Sequence, residues 1–166
     1  VPYGAIIKSY EDKRLIGESD VICIRTFPDR PVAVGEKYTT YRTLPPIYDE
    51  ATGEFIGIQH YLTGIVEIIG IDEKIAIAKV IRNYRAIHIE DSLMPYTRRS
   101  PEIALKDGLP GIDGKFIRSE ENTYMFGDHQ IAFIDKGLEN GIQRGQSYGI
   151  YQQEEVSLYP SDKKSE

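Results

Sequence analysis

Apolar residues occur along this chain in short runs that are separated by polar turns carrying glycine or proline. The runs DVICIR and QIAFID are rich in β-branched and aromatic residues, as strands are. The runs GAIIKS and GKFIRS each begin at a glycine. No stretch sustains the 3.6-residue apolar period of an amphipathic helix. The pattern predicts an all-β fold.

The same pattern occurs twice. Gly4–Tyr41 aligns with Gly114–Tyr151 without a gap, at an offset of 114 − 4 = 110 residues. Nine of the thirty-eight pairs are identical, whereas ordinary composition gives roughly two or three by chance. The identical residues of the first copy are Gly4, Ile7, Ser9, Glu11, Gly17, Ile24, Gly35, Tyr38 and Tyr41. An internal repeat of this kind predicts a duplicated unit of three strands with two connections.

The remaining segments predict two small barrel-like modules. Residues 44–95 indicate a β-meander that enlarges the first module, and the composition of Lys74–Ile81 predicts a strand covered on both faces. Residues 97–113 contain two prolines and two glycines and few strand formers, which is typical of a linker. We therefore expect a first module over 1–96, a linker over 97–113, a second module over 114–156, and a charged tail over 157–166.

Composition excludes several classes of protein. The net charge is −6 and no basic block is longer than Arg98–Arg99, which argues against a nucleic-acid surface. No apolar run reaches transmembrane length. Cys23 is the single cysteine, and its place in an apolar strand predicts a buried, inert thiol. The chain begins with Val1 and shows no signal-peptide pattern, so we expect either a trimmed chain or a mature fragment, with any N-terminal partner domain outside it.

One segment matches a catalytic motif. Residues 145–149 read G-Q-S-Y-G, the G-x-S-x-G pattern of a hydrolase nucleophile elbow. The elbow requires a buried strand before the serine and a helix after it. Here a glycine-rich loop precedes Ser147, a tyrosine-rich strand follows it, and its repeat partner is Lys37. A serine hydrolase is therefore the least favoured function, and we predict no catalytic residue.

Metal and cofactor sites are not predicted either. His60, His88 and His129 lack metal-ligand spacing. Asp49, Glu50 and Glu54 form an acidic turn without the loop pattern of a calcium hand. A phosphate cradle over 136–145 would need a following helix, a lysine and a serine or threonine, and the tyrosine-rich strand predicted after Gly145 argues against it.

Tyrosines are the remaining candidates for a binding surface. Tyr38 and Tyr41 recur in the second copy as Tyr148 and Tyr151, so we expect one member of each pair to lie in a core. The other members could face a ligand. The predicted ligand or partner surface comprises Tyr48, Asn140, Tyr148 and Tyr151.

The chain also resembles a known family. The segments ATGEFIG, RAIHIEDSLMP and GLENGIQRG, within a similarity that covers about 3–151, are similar to the region after the LysM repeat in bacterial LysM-containing, peptidoglycan-binding envelope proteins. Glu90 stands where that pattern usually has glycine, and a proline is usual near Glu50 or Ala51. The LysM repeat itself is not in this chain.

The resemblance implies a non-catalytic module located in the periplasm or cell envelope. Its partners would be peptidoglycan, bound through a LysM repeat that precedes it, and envelope proteins, for which it would act as a scaffold or interaction domain. The alternative is a module that itself binds a glycan or small ligand. The resemblance assigns no cofactor and no glycan-binding residue here.

Overall fold

A computed structural model describes residues 1–11, 13, 15–49, 52–123 and 127–153. The predicted tail over 157–166, the end of the predicted second module, and two residues of the acidic turn, Glu50 and Ala51, lie outside the described residues. The strands are β1 Gly4–Ser9, β2 Val21–Thr26, β3 Lys37–Thr43, β4 Ile47–Tyr48, β5 Phe55–Gly57, β6 His60–Asp72, β7 Ile75–Asn83, β8 Ser92–Pro95, β9 Lys106–Asp107, β10 Phe116–Ser119, β11 Ala132–Ile134 and β12 Gln146–Ser147. One short 3₁₀ turn, Leu138–Asn140, precedes β12.

Six of these strands form a closed antiparallel barrel in the order β1-β2-β7-β6-β3-β8. The barrel closes where Ala5 of β1 pairs with Ser92 of β8. The first repeat copy supplies β1, β2 and β3, and the predicted meander supplies β6, β7 and β8. Closure removes the exposed sheet edges that invite aggregation. The predicted all-β, barrel-like fold is confirmed.

The core of the barrel follows from the alternation of side chains along its strands. In β7, Ala76, Ala78 and Val80 are buried, whereas Ile75 and Ile81 at alternate positions are exposed. Gly64 lies inside β6, and a Cβ added there would come within 2.6 Å of the Arg82 carbonyl oxygen. The chief apolar residues of this core are Ile6, Ile16, Ile22, Ile24, Tyr38, Val66, Ile68, Ala76, Ala78, Val80, Ile87 and Leu93.

A buried ion pair joins β3 to the segment before β8. Asp91 is 1% exposed, and its carboxylate accepts bonds from Arg42 Nε at 2.9 Å and from a second Arg42 guanidinium nitrogen at 3.1 Å. The backbone N–H of His88 donates a further bond to it at 3.0 Å. A buried carboxylate needs such partners, because an isolated charge in the interior is costly.

The predicted duplication is visible in the local structure of both copies. The hairpins β1–β2 and β10–β11 have the same register, and each has its bulge at the same place. The corresponding ladder pairs, first copy before second, are Ile6–Ile24 and Phe116–Ile134, Lys8–Cys23 and Arg118–Phe133, and Ser9–Ile22 and Ser119–Ala132. Each residue of the second hairpin lies 110 positions after its counterpart in the first.

The turns repeat as well. Ser19 and His129, which correspond, both have positive φ, at 70° and 66°. Gly35 and Gly145 correspond and have φ of 85° and 93°, a conformation that L-residues with side chains rarely adopt. These matches show that the two copies share the hairpin register and the backbone conformation at both of these positions.

The third strand differs between the copies. In the first copy β3 pairs with both β6 and β8. In the second copy β12 comprises two residues and pairs in parallel with β9. Without longer neighbours the ladder does not extend, although the sequence of this segment favours a strand.

This difference corrects the prediction for the tyrosine pairs. Tyr38 is in the barrel core, and Tyr41 is also buried, with its ring against His60 at a centroid distance of 4.7 Å. Tyr148 and Tyr151 are 38% and 69% exposed, so neither member of the second pair lies in a core. The expectation of one core tyrosine was wrong there, because the second copy lacks the strands that cover β3 in the first.

The described chain divides into two compact units. The first contains residues 1–99 and 116–135, that is, the barrel, the β4–β5 hairpin and the β10–β11 hairpin. The second contains residues 100–115 together with 136 onward, including the β9–β12 pair. The segment predicted as a linker over 97–113 thus contributes β9 to the second unit, and the segment predicted as the second module is divided between the two units.

Candidate functional site

A charged cluster lies where the β10–β11 hairpin meets the barrel, within the first unit. A terminal nitrogen of the Arg85 guanidinium is 2.6 Å from a Glu120 carboxylate oxygen and 3.3 Å from Glu121 Oε1. The hydroxyl of Tyr61 donates a 2.5 Å hydrogen bond to the other oxygen of Glu121. The guanidinium carbon lies 4.2 Å from the centroid of the Tyr61 ring, which adds a cation–π contact.

Three different elements of the fold position these four groups. Tyr61 lies on β6, and Arg85 follows β7, where its backbone N–H donates to the Thr63 carbonyl at 3.1 Å. Glu120 and Glu121 follow β10 directly, at the turn of the hairpin. Because Arg85 also donates to the Leu62 carbonyl at 3.1 Å, the guanidinium is anchored on both the barrel and the hairpin.

The hydrogen bonds alter the acidity of the cluster. The bond from Tyr61, followed by the contacts with Arg85, lowers the pKa of the Glu121 carboxyl below its usual value. Partial burial, together with the bond to Glu121, raises the pKa of the Tyr61 phenol. Glu121 is therefore a carboxylate and Tyr61 a neutral hydrogen-bond donor near neutral pH.

An open cleft of about 280 Å³ adjoins the cluster. Its lining comprises Arg85, Ser119, Glu120, Glu121, His129, Gln130 and Ile131. The guanidinium and the two carboxylates give this lining a net charge of 1 − 2 = −1 with His129 neutral. Since Arg85 already bonds to both carboxylates, the cluster is suited to holding the hairpin on the barrel more than to binding an anion.

Two of the predicted surface residues have separate surroundings. Tyr48 is exposed and packs edge-on against Phe55 across the β4–β5 hairpin, with ring centroids 5.9 Å apart. Asn140 ends the 3₁₀ turn, and its side-chain oxygen accepts a bond from the Gly137 N–H at 3.0 Å. Tyr48 thus presents an aromatic surface, whereas Asn140 closes its own loop.

The other two predicted surface residues, Tyr148 and Tyr151, form hydrogen bonds within the second unit. The Tyr148 hydroxyl accepts a bond from the Leu109 N–H at 3.2 Å and donates one to Gln146 at 3.0 Å. The Tyr151 hydroxyl donates to Asp113 at 2.9 Å, and this bond raises the pKa of the Tyr151 phenol. Each of the four predicted residues therefore has its own partner, and their contacts do not join them into one site.

Ser147 does not occupy a nucleophile elbow. It ends β12, and its hydroxyl lies 3.4 Å from the Lys106 carbonyl oxygen. Residues 148–153 after it contain no helix. The strand–turn–helix geometry that exposes such a serine is therefore missing from this part of the chain.

The histidines have separate surroundings. His60 bonds through Nδ1 to the Thr43 hydroxyl at 3.2 Å, and His129 lines the cleft beside Arg85. Across residues 1–153, apart from the undescribed positions, no group of three or more His, Cys, Asp or Glu side chains could hold a metal ion. In the same part of the chain, no helix has the length and apolar character required to cross a membrane.

The Arg85 cluster was missed at the sequence level. Arg85 follows Tyr61 by 85 − 61 = 24 residues, and Glu120 follows Arg85 by 35, so no local pattern joins them. The one available signal was the repeat, since Glu121 corresponds to Glu11. Glu11, however, pairs with Lys13 at 2.7 Å in the first copy, and Lys13 corresponds to the uncharged Thr123, so the repeat does not indicate the partner of Glu121.

Comparisons with known proteins return no relative. No protein-family model matches the chain, no curated protein matches it, and no solved structure matches it. Its function is therefore inferred from its own sequence and contacts.

Proposed function

We propose that this chain is a non-catalytic interaction module of a bacterial cell-envelope protein. In this proposal a LysM repeat outside the chain binds peptidoglycan, and the β units act as a scaffold for envelope proteins in the periplasm. The envelope setting is supported by the resemblance of ATGEFIG, RAIHIEDSLMP and GLENGIQRG to the region that follows LysM repeats. The interaction role is supported by the surface of the second copy.

The observation that carries the proposal is the contrast between corresponding residues. Ile24 is fully buried in the barrel, whereas its counterpart Ile134 is 42% exposed. Ala132 of the same strand is exposed as well, while its counterpart Ile22 is fully buried. Exposed apolar positions that repeat a core pattern are typical of surfaces that become covered by a partner.

The alternative is a glycan-binding module, and one observation favours it. Tyr48 and Phe55 are both more than half exposed and lie side by side on one hairpin. Aromatic faces of this kind can stack on sugar rings. The chain has no tryptophan and a net charge of −6, so neither a strong stacking residue nor attraction to acidic stem peptides supports this alternative.

Sedimentation with purified, insoluble peptidoglycan sacculi separates the two functions. We expect the chain to remain in the supernatant, because a scaffold module has no glycan site of its own. The matched control is the Tyr48→Ala, Phe55→Ala double variant. If the chain sediments with the sacculi and this variant does not, the glycan-binding function replaces the scaffold function.

A further inference from the structure

The first copy shows what covers the outer edge of its hairpin. In the barrel β2 pairs on one side with β1 and on the other with β7, and Ile24 lies opposite Ala76. The Asp20 carbonyl accepts a bond from the Val80 N–H at 2.9 Å, and the Thr26 N–H donates to the Lys74 carbonyl at 3.0 Å. Because backbone groups alternate in direction along a strand, the even-numbered residues of β2 face β7.

The same edge of the second copy has no strand beside it in the described part of the chain. There β11 pairs with β10 alone, in the register that β2 has with β1. By the offset of 110, the residues of β11 that correspond to the β7-facing positions are Ala132 and Ile134. Both are exposed, whereas their counterparts Ile22 and Ile24 are fully buried.

We propose that the outer edge of β11 accepts an antiparallel β-strand from an extended polypeptide, in the way that β2 accepts β7. This inference deepens the proposed function and rests on it, since it identifies the interaction surface of the module. The added strand pairs with the outward backbone groups of Ala132 and Ile134, and its side chains pack beside theirs on the two faces of the sheet. Strand addition of this kind takes its affinity from main-chain bonds and its specificity from alternate side chains.

The chemistry of the partner follows from β7. That strand reads IAIAKVIRN, with small alanines facing the barrel interior and branched residues alternating with them. The partner segment therefore carries small or branched aliphatic residues at alternate positions and has a small residue opposite Ile134. It has no proline at the positions that donate to β11, because proline lacks the N–H.

A peptide with the sequence of residues 73–83, EKIAIAKVIRN, serves as the probe. Labelled with a fluorophore, it is titrated with the full 166-residue chain, and binding is followed by fluorescence anisotropy. We expect saturable binding. The first control peptide carries Ala78→Pro: Val80 donates to the facing strand, so Ala78, two residues earlier, faces it too. We expect this peptide to bind at least about tenfold more weakly.

Two variants of the chain locate the binding to β11. Ala132→Pro removes an N–H that points to the outer edge and leaves the bonds to β10, as edge strands tolerate. Ala132→Val keeps that N–H and adds a branched side chain. We expect at least about tenfold weaker peptide binding to Ala132→Pro and full binding to Ala132→Val.

Several outcomes would overturn the inference. These are the absence of saturable binding, equal binding of the Ala78→Pro peptide, or equal binding to the Ala132→Pro chain. Concentration-dependent dimerisation that Ala132→Pro abolishes would instead assign the edge to a second copy of this chain. The sacculus experiment reports on the proposed function separately, so a failed peptide titration with no sedimentation would reject strand addition and leave the scaffold function standing.

Discussion

At the scale of single residues, Glu90 is in a conformation that glycine adopts more readily. Its φ is 74°, in the left-handed region, and it lies in the turn between Ile87 and β8. A side chain in this region costs about 1 kcal/mol or more. Glycine at this position would therefore be less strained than the glutamate.

We expect Glu90→Gly to raise the free energy of unfolding by about 0.5–1 kcal/mol, because glycine relieves the left-handed strain. Thermal or urea unfolding measures the change. The matched control is Glu67→Gly in β6, where the backbone is extended and glycine should lower the stability by about 0.5–1 kcal/mol. An unchanged or lower stability of Glu90→Gly would mean that the turn gains more from the side chain than from relief of strain.

At the scale of elements, the sequence predicted correctly the strands that have a clear local pattern of apolar residues. The predicted strand Lys74–Ile81 corresponds to β7 Ile75–Asn83, and the predicted copies contain β1, β2, β10 and β11. The expectation that this strand is covered on both faces was wrong, since Ile75 and Ile81 are exposed. The third strand of the second copy could not be predicted in length. Its sequence favours extended backbone, but a ladder also requires neighbours, which β3 has and β12 lacks.

The ion pairs could not be predicted from the sequence, for a related reason. Arg42 and Asp91 are 49 residues apart, and Arg85 and Glu120 are 35 residues apart. Their meeting depends on barrel closure and on the position of the β10–β11 hairpin, neither of which leaves a periodic signal. The repeat predicted the geometry of that hairpin correctly but said nothing about the residues it would contact.

The contacts of Glu121 predict a pH dependence for the hairpin. Because its folded-state pKa is lowered from 4.5, the carboxylate stabilises the fold above about that pH, and this contribution is lost as the pH falls through the lower folded-state value. Between about pH 6 and pH 3 we expect the melting temperature to fall less in Glu121→Gln than in the unaltered chain, by about 1–2 °C, since the pair is partly exposed.

Tyr61→Phe provides a second variant for this measurement. It removes the hydrogen bond that lowers the Glu121 pKa most, so it should also flatten the pH dependence. Asp20 and Glu36 have lowered pKa values too, so part of the acid sensitivity remains in both variants. If the melting temperatures of both variants depend on pH as that of the unaltered chain does, the cluster contributes nothing to acid stability.

At the scale of the whole molecule, the two units differ in how much they bury. The first encloses a continuous apolar core inside a closed barrel. In the second, no residue among 100–115 and 136–153 is buried, and its one strand pair has two residues on each side. Since hydrophobic burial is the main favourable contribution to folding, the barrel should carry most of the stability of the chain.

Hydrogen exchange of the backbone amides tests this difference. We expect amides of β6 and β7 to exchange at least about 10²-fold more slowly than those of residues 137–153, relative to the rates of the urea-unfolded chain, because slow exchange requires opening of the barrel. Comparable protection in 137–153 would show that the second unit has a stable core of its own.

Repeating the measurement with the EKIAIAKVIRN peptide adds a specific expectation. Slowing should be confined to the outward-facing amides of β11, since their counterparts in the first copy are those that β7 protects.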